Sequence, residues 1–432
     1  MNRFRQGGGA LVLRQAGMLT AAAVLSQLIM LAATPLLAQF YSPDDFGRLS
    51  LLIAFMTIGG GASAFFHLVI QLPRSGRMAA AAFRLSVYLV PVGALLTTSI
   101  YWLTGAAGHR VLPAVPFAIE LMIVMIAIAG AANFTILNSA LWRAGRPREV
   151  ALARLNFSLL ASGAQLFLGA IGFAASGLQL GRILGQGATN ALMIRRLPAF
   201  CRLSELLKPR RHELLVVARR YRDAPIQIPR DLLQRGGTTL PPALMLGAYG
   251  PTAAGFYFLA ERLVERPGIL LGDTLTRLPM KLFAERVRMN RPMLRSALLY
   301  TLVSFCAVAL ALIALAFGGP WVLDAFFDPA WGGVAAYAAP LALGAGIRVG
   351  TLPLAALVPI LRIQHQTVWV DLIFFSRIFV FPVGATLGWE PIVAVWALVG
   401  ATVVYIFVIL AMVVAAAARY ERHIPLMKPS WK

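Results

Sequence analysis

Charge is scarce in this chain, and acid is scarcer than base. Only 13% of the residues are Asp, Glu, Lys or Arg, against roughly 25% in a soluble protein. The shortfall runs the whole length, so most of the surface faces something other than water. Cysteine is nearly absent. Cys201 lies in a basic stretch and Cys306 in an apolar one, and number and placement together exclude a disulfide framework. The five histidines, His67, His109, His212, His365 and His423, are scattered and form no metal-ligand pattern. His67 alone falls inside an apolar run, where a satisfied interface histidine is preferred to a proton relay. No nucleophile triad and no nucleotide loop are present. Gly59, Gly60 and Gly61 sit within an apolar run, not at a strand-to-helix junction, so close helix packing or a hinge is their default role.

What the chain does have is hydrocarbon-compatible length. Hydrophobic residues make up 59% of it and the mean hydropathy is +0.75. A membrane span needs about 20 mostly apolar residues. Twelve such segments are predicted. Six lie over 17–38, 47–69, 85–104, 115–139, 151–173 and 177–195, and six over 228–248, 252–275, 296–318, 334–360, 367–387 and 391–416. The sixth, seventh and eighth are the weakest, because each carries charge. The first follows Arg3, Arg5 and Arg14 and could imitate a signal peptide, but it is longer than an h-region and other spans follow it.

The net charge is +22, and the bases cluster between spans. Basic connections hold Arg74 to Arg84, Arg143 to Arg154, Arg195 to Arg222, Arg277 to Arg295, Arg362, and Arg419 to Lys432. The alternate connections are short and, apart from His109 and Arg110, neutral or acidic, with Asp44, Asp45, Asp324, Asp328 and Glu390. That alternation predicts a multi-pass protein of the bacterial inner membrane with both termini cytoplasmic. It also attributes the positive charge to topology and to anionic membrane lipids, and excludes nucleic acid as a partner. Leu203 to Asp223 alternates apolar and charged residues at helical spacing and reads as an amphipathic helix on the cytoplasmic headgroups.

The two halves repeat. Tyr41, Pro43, Gly47 and Leu51 recur as Tyr249, Pro251, Gly255 and Leu259 at an offset of 208, and Leu72-Pro73 as Leu278-Pro279 at an offset of 206. In each half, Pro and then Gly open a tight connection and start a helix. Both copies enter from the same side, so the repeat is parallel. The expected fold is an all-α membrane protein of about twelve transmembrane helices in two six-helix bundles, related by a pseudo-two-fold along the membrane normal. The expected domains are residues 1–200, a cytoplasmic amphipathic linker over 201–225, and residues 226–432.

Charge within the spans marks the candidate site, because each such residue is costly and is usually functional or paired. The eighth span carries Glu261, Arg262, Glu265 and Arg266, about 14–21 Å below its entry point, within an arc of about 140° that also holds Asp273. Hydrocarbon offers that stripe no partners, so it faces protein or water. A structural ion cluster, with Arg262 reaching Glu265 at i+3, and the wall of a water-filled cavity both account for it, and the cavity is the preferred reading. Arg235 in the seventh span is deep enough to join the cavity, whereas Arg230 could snorkel to the interface. Arg182, with Gln179, Gln186 and Asn190, and Arg348, among Gly344, Gly346 and Gly350, add to it, as do Asp371 and Arg377 of the eleventh span. Glu120 is a further buried charge. Across these positions arginine outnumbers acid, which suits an anionic substrate. No catalytic residue, metal or cofactor is expected.

Several of these stretches are similar to a known family. Leu37 to Leu52, with its Tyr-Ser-Pro-Asp-Asp-Phe-Gly-Arg-Leu core, resembles the first periplasmic turn of the oligosaccharide flippases of the polysaccharide-transporter family. That family belongs to the multidrug/oligosaccharidyl-lipid/polysaccharide exporter superfamily. Val69-Ile70-Gln71-Leu72-Pro73 resembles the family segment Ala-Ile-x-Leu-Pro, with Val69 in place of Ala. His67 stands where Glu is common, so a role for that Glu does not carry over. Leu240 to Gly247, followed by Gly255-Phe256-Tyr257 and Leu259-Ala260-x-Arg262-Leu263, resembles the seventh and eighth helices. The resemblance implies two six-helix bundles facing each other across a central cavity. It implies translocation of an undecaprenyl-pyrophosphate-linked oligosaccharide to the periplasmic leaflet during surface-polysaccharide assembly, such as O-antigen or exopolysaccharide. Alternating access is expected, with coupling to protons or cations left open, along with contact with a polysaccharide polymerase. Two other classes compete. A multidrug exporter of the same superfamily would want an acidic, aromatic cavity. A membrane polymerase or ligase would want a long periplasmic loop, for which Gly318 to Gly333, with Trp321, Asp324 and Trp331, is the best candidate.

Overall fold

The computed structural model describes residues 3–73, 75–106, 108–198, 201, 211–221, 227–289, 291–361 and 363–423. The protein is an all-helical, multi-pass membrane protein. Its helices are α1 (Arg3–Ala38), α2 (Pro43–Ser63), α3 (Gly76–Ala106), α4 (Phe117–Arg143), α5 (Pro147–Ala170), α6 (Ala174–Ile194) and α7 (Arg211–Arg220). They continue as α8 (Gln227–Tyr249), α9 (Pro251–Arg288), α10 (Leu294–Phe326), α11 (Val334–Ala355), α12 (Leu357–Ile360), α13 (Gln364–Ser376), α14 (Val380–Thr386) and α15 (Pro391–His423). Eight of them are long and apolar enough to cross a membrane. The remaining spans are α6, α8, α9 and the pair α13–α14, which include the three weakest in the sequence. By contact, the chain divides into two compact units, Met1–Leu246 and Gly247–Lys432.

Local chemistry explains the helix ends. Ser42 caps α2 in a full capping box: its hydroxyl accepts the Asp45 N–H at 3.4 Å, and Asp45 Oδ2 accepts the Ser42 N–H at 3.0 Å. Pro43 and Pro251 each occupy the first turn of their helix, where a missing N–H costs nothing. Gly250 before Pro251 has φ +88°, which a β-carbon would strain. Glu421 of α15 caps α10, accepting the N–H groups of Met293 and Leu294, each at 2.7 Å.

The repeated tyrosine packs its hydroxyl against a glycine in each unit. Tyr41 donates its hydroxyl to the Gln165 carbonyl at 2.7 Å, and the Tyr41 hydroxyl oxygen lies 2.6 Å from where a β-carbon on Gly177 would sit. Tyr249 places its hydroxyl 2.8 Å from the equivalent point on Gly384. The tyrosines are offset by 208 and the glycines by 207.

Close packing is what the glycine run provides. A β-carbon on Gly59 would lie 2.5 Å from Thr97, and one on Gly60 would lie 2.8 Å from Ala131, so α2 approaches α3 and α4 at backbone distance. Gly346 and Gly350 do the same for α11 against Leu312 and Phe305 of α10, at 2.9 and 2.7 Å. His67 falls in a 3-10 turn after α2, with Nδ1 2.7 Å from the Ala64 carbonyl.

Four expectations change. The span expected over 252–275 continues as helix to Arg288. The expected loop from Gly318 to Gly333 is mostly helix, because α10 runs to Phe326. Within that stretch Trp331 is 2% exposed and packs on Phe256 and Phe327, while Trp321 is 67% exposed; only Trp321 has the exposure of an interfacial anchor. The eleventh span is broken: α13 ends at Ser376, a 3-10 turn covers Arg377–Phe379, and α14 follows. Pro382 explains the break. It lacks an N–H, and its ring crowds the carbonyl four residues back, at Ile378, so the α-helical ladder cannot pass unchanged.

The fourth change concerns the linker. Residues 202–210 and 222–226 lie outside the described residues, and α7 is the part that is seen. It is fastened to the first unit. Glu213 accepts from Arg77 at 2.5 Å and from Arg84 at 2.6 Å. Val217 enters a buried cluster with Phe83, Leu141, Met193 and Cys201. Leu215 and Val216 are exposed on the other side.

Candidate functional site

The second unit gathers most of the charged positions singled out in the sequence. On α9, Tyr257, Glu261 and Glu265 recur every four residues and so share one face. Glu265 accepts a hydrogen bond from Arg348 of α11 at 2.9 Å, with 22% and 29% of the two side chains exposed. Glu265 thus has a partner on another helix, beyond the local i+3 spacing. Glu261 and Tyr257 lie within electrostatic reach of Arg348. Arg377 lies within electrostatic reach of Tyr257, Glu265, Arg348 and Tyr405.

Arg377 owes its position to the helix break. It is 9% exposed and its guanidinium stacks 3.8 Å from the centroid of Phe374, close enough for a cation–π contact. It also donates to the Thr402 hydroxyl of α15, and that hydroxyl donates on to the Leu398 carbonyl at 2.7 Å. Tyr405 packs on Phe374 with centroids 4.6 Å apart, and Phe381 meets Tyr257 edge-on at 5.8 Å. An arginine at a discontinuous helix, stacked on an aromatic ring and within electrostatic reach of a glutamate–arginine pair, can hold an anion. Arg262 is also buried, at 8% exposure. The side chains of Arg266, Asp273 and Asp371 lie outside the described residues.

Two candidates belong to the first unit. Arg182 of α6 stacks on Phe157 of α5 at 5.0 Å, and Phe157 in turn meets Phe134 at 6.0 Å. Its neighbours on α6 join helices: Gln179 donates to the Asp45 carbonyl at 3.1 Å and Asn190 to the Gly130 carbonyl at 2.8 Å. Arg235 of α8 lies beside Gly61, 3.7–3.9 Å from the position of a β-carbon there. Arg230 has its side chain outside the described residues.

Glu120 is structural. It is fully buried and accepts from Tyr101, from Arg110 at 2.7 Å and from the Leu112 N–H at 2.8 Å. These bonds satisfy the carboxylate and pin the connection before α4. Tyr257, Phe374, Thr402 and Tyr405 were not singled out in the sequence. Tyr257 could have been found one turn before Glu261, and the break could have been inferred from Pro382, five residues after a buried arginine. Phe374, Thr402 and Tyr405 carry no sequence signal.

Solved structures share this fold. An inward-facing multidrug-resistance MATE-family transporter of the MOP superfamily matches with a TM-score of 0.65 and 14% identity, over 92% of this chain and 96% of that one. A MOP-superfamily transporter from Pyrococcus furiosus, whose binding pocket of reversed polarity suggests a different function, matches at 0.56 and 13% identity, over 95% and 96%. An outward-facing MATE-family transporter matches at 0.51 and 14% identity, over 94% and 96%. The fold is therefore that of MOP-superfamily transporters. No family model matches the sequence, and no curated protein matches it.

Proposed function

We propose that the protein is a transporter that moves an undecaprenyl-pyrophosphate-linked oligosaccharide across the bacterial inner membrane by alternating access, with both termini in the cytoplasm. The observation that carries this reading is the excess of arginine over acid at the charged positions singled out within the spans. Arg182, Arg235, Arg262, Arg348 and Arg377 stand against Glu120, Glu261 and Glu265. A pyrophosphate can take over a guanidinium from a carboxylate where water or a proton can meet the released carboxylate, and Arg348 with Glu265, 29% and 22% exposed, is such a pair. Membrane lipids are the second partner, and a polysaccharide polymerase would receive the product.

A second reading draws on a specific feature of the same site. Glu261 and Glu265 lie within electrostatic reach of Tyr257, whose ring meets Phe381, and acid beside aromatic rings suits an organic cation. A multidrug exporter would use that chemistry.

Transport assays in proteoliposomes separate the two. A fluorescent pyrophosphate-linked oligosaccharide lipid and ethidium are supplied in parallel to the wild type and to Arg348→Ala. Losing one charge-assisted contact, worth about 1.5–3 kcal/mol, should slow glycolipid movement by about tenfold or more while the protein stays folded. Transport of ethidium with no movement of the glycolipid would overturn the proposal, and so would an Arg348→Ala protein that moves the glycolipid at full rate.

A further inference from the structure

A cavity of about 330 Å³ opens in the second unit where the ends of α9, α13 and α15 meet. It has two kinds of wall. Ile360, Leu361 and Ile363 form an apolar floor, and Ile363 belongs to the buried cluster that packs this end of the unit. Gln366 and Arg419, both exposed, form a polar rim. Arg419 keeps its orientation by donating Nε to the Ala415 carbonyl at 3.3 Å. Tyr420 donates to the Val287 carbonyl at 3.2 Å and closes the back wall by tying α15 to α9.

On the orientation proposed above, this end of the unit meets the cytoplasmic surface of the membrane. The sequence places Arg286, Arg288, Arg291 and Arg295 there as well. A cavity with an apolar floor and a guanidinium at its mouth, set at a lipid–water boundary, matches a molecule with hydrocarbon at one end and a phosphate at the other. We infer that this cavity is a binding site for an anionic phospholipid of the cytoplasmic leaflet, with acyl chain along Ile360, Leu361 and Ile363 and phosphate at Arg419. Net negative leaflet charge and a basic protein edge favour that occupant over a zwitterionic one. The inference rests on the proposed orientation and not on the transported substrate, because none of these residues belongs to the charged cluster around Arg348.

Native mass spectrometry of the full chain tests it, with phosphatidylglycerol, phosphatidylcholine and glycerol phosphate as probes. The expected result is one retained phosphatidylglycerol that resists delipidation, weak retention of phosphatidylcholine and none of glycerol phosphate. Arg419→Gln should weaken phosphatidylglycerol by about tenfold, the loss of one charge-assisted contact. Leu361→Trp, which fills the floor, should weaken it with the arginine intact. Each variant is accepted only if its melting temperature in detergent matches wild type without added lipid. The inference fails if phosphatidylcholine binds as well as phosphatidylglycerol, if glycerol phosphate competes at equal concentration, or if both folded variants retain lipid as the wild type does.

Discussion

Removing the carboxylate of Glu213 should release α7 from the first unit, and Cys201 can report it. Glu213 binds two arginines whose surroundings differ. Arg77 is 73% exposed, so its pair contributes only about 0–1 kcal/mol. Arg84 is 3% exposed, and its charge-assisted bond is worth about 1.5–3 kcal/mol. Val217 docks with the same helix, and its burial adds about 1.5–3 kcal/mol. Glu213→Ala removes the Arg84 pairing and leaves that guanidinium buried without this carboxylate. Hydration of Arg84 on undocking limits the loss, so local opening should become easier by about 3 kcal/mol, on the order of 100-fold. Cys201 lies in the cluster that Val217 covers and is fully buried. Burial also pushes its thiol well above the ordinary cysteine range, with Arg143 opposing, so it reacts only when the cluster opens. The assay is maleimide labelling of Cys201 under native conditions in a Cys306→Ser background. Glu213→Ala should label on the order of 100 times faster, and Arg77→Ala within about threefold of wild type. A Glu213→Ala rate equal to wild type would refute the claim that this ion pair holds the helix.

Other outcomes follow from the same geometry. Glu265→Ala, Arg348→Ala and the double variant form a thermodynamic cycle, and their melting temperatures in detergent should give a coupling of about 1–3 kcal/mol; additive losses would show that the pair is not coupled. Burial, with a smaller contribution from Asp45, pushes the Tyr41 hydroxyl up to about 12. The stability it contributes is present below pH 10 and is lost as pH rises toward 12, so Tyr41→Phe should flatten a melting profile over that range. Gly350→Leu should destabilise by at least about 1–3 kcal/mol, because Phe305 stands 2.7 Å from the first added carbon; an unchanged melting temperature would mean that α10 and α11 do not pack as described. Glu421→Ala should cost about 1–2 kcal/mol through the lost cap on α10, read as faster amide exchange at Met293 and Leu294.

Hydropathy and loop charge are properties of the chain read in order, and they determined the class of protein, the sites of most spans and the tyrosine–proline turn of each half. A span declares itself because hydrocarbon tolerates few charges over about 20 residues, whatever its neighbours do. The glycine run also foretold close contact at Gly59 and Gly60. Local sequence could not decide which charge meets which. Glu265 and Arg348 are 83 positions apart, and only the packing of α9 against α11 brings them together. Glu120 and Glu265 look alike in the sequence as acids within spans. The tertiary structure separates them, because one has its oxygens filled by Tyr101, Arg110 and a backbone N–H, while the other shares a partly exposed arginine. Glu213 showed only helical spacing until Arg77 and Arg84 of a distant helix came into place. Pairing energy depends on distance and burial, and both are set by how the helices pack.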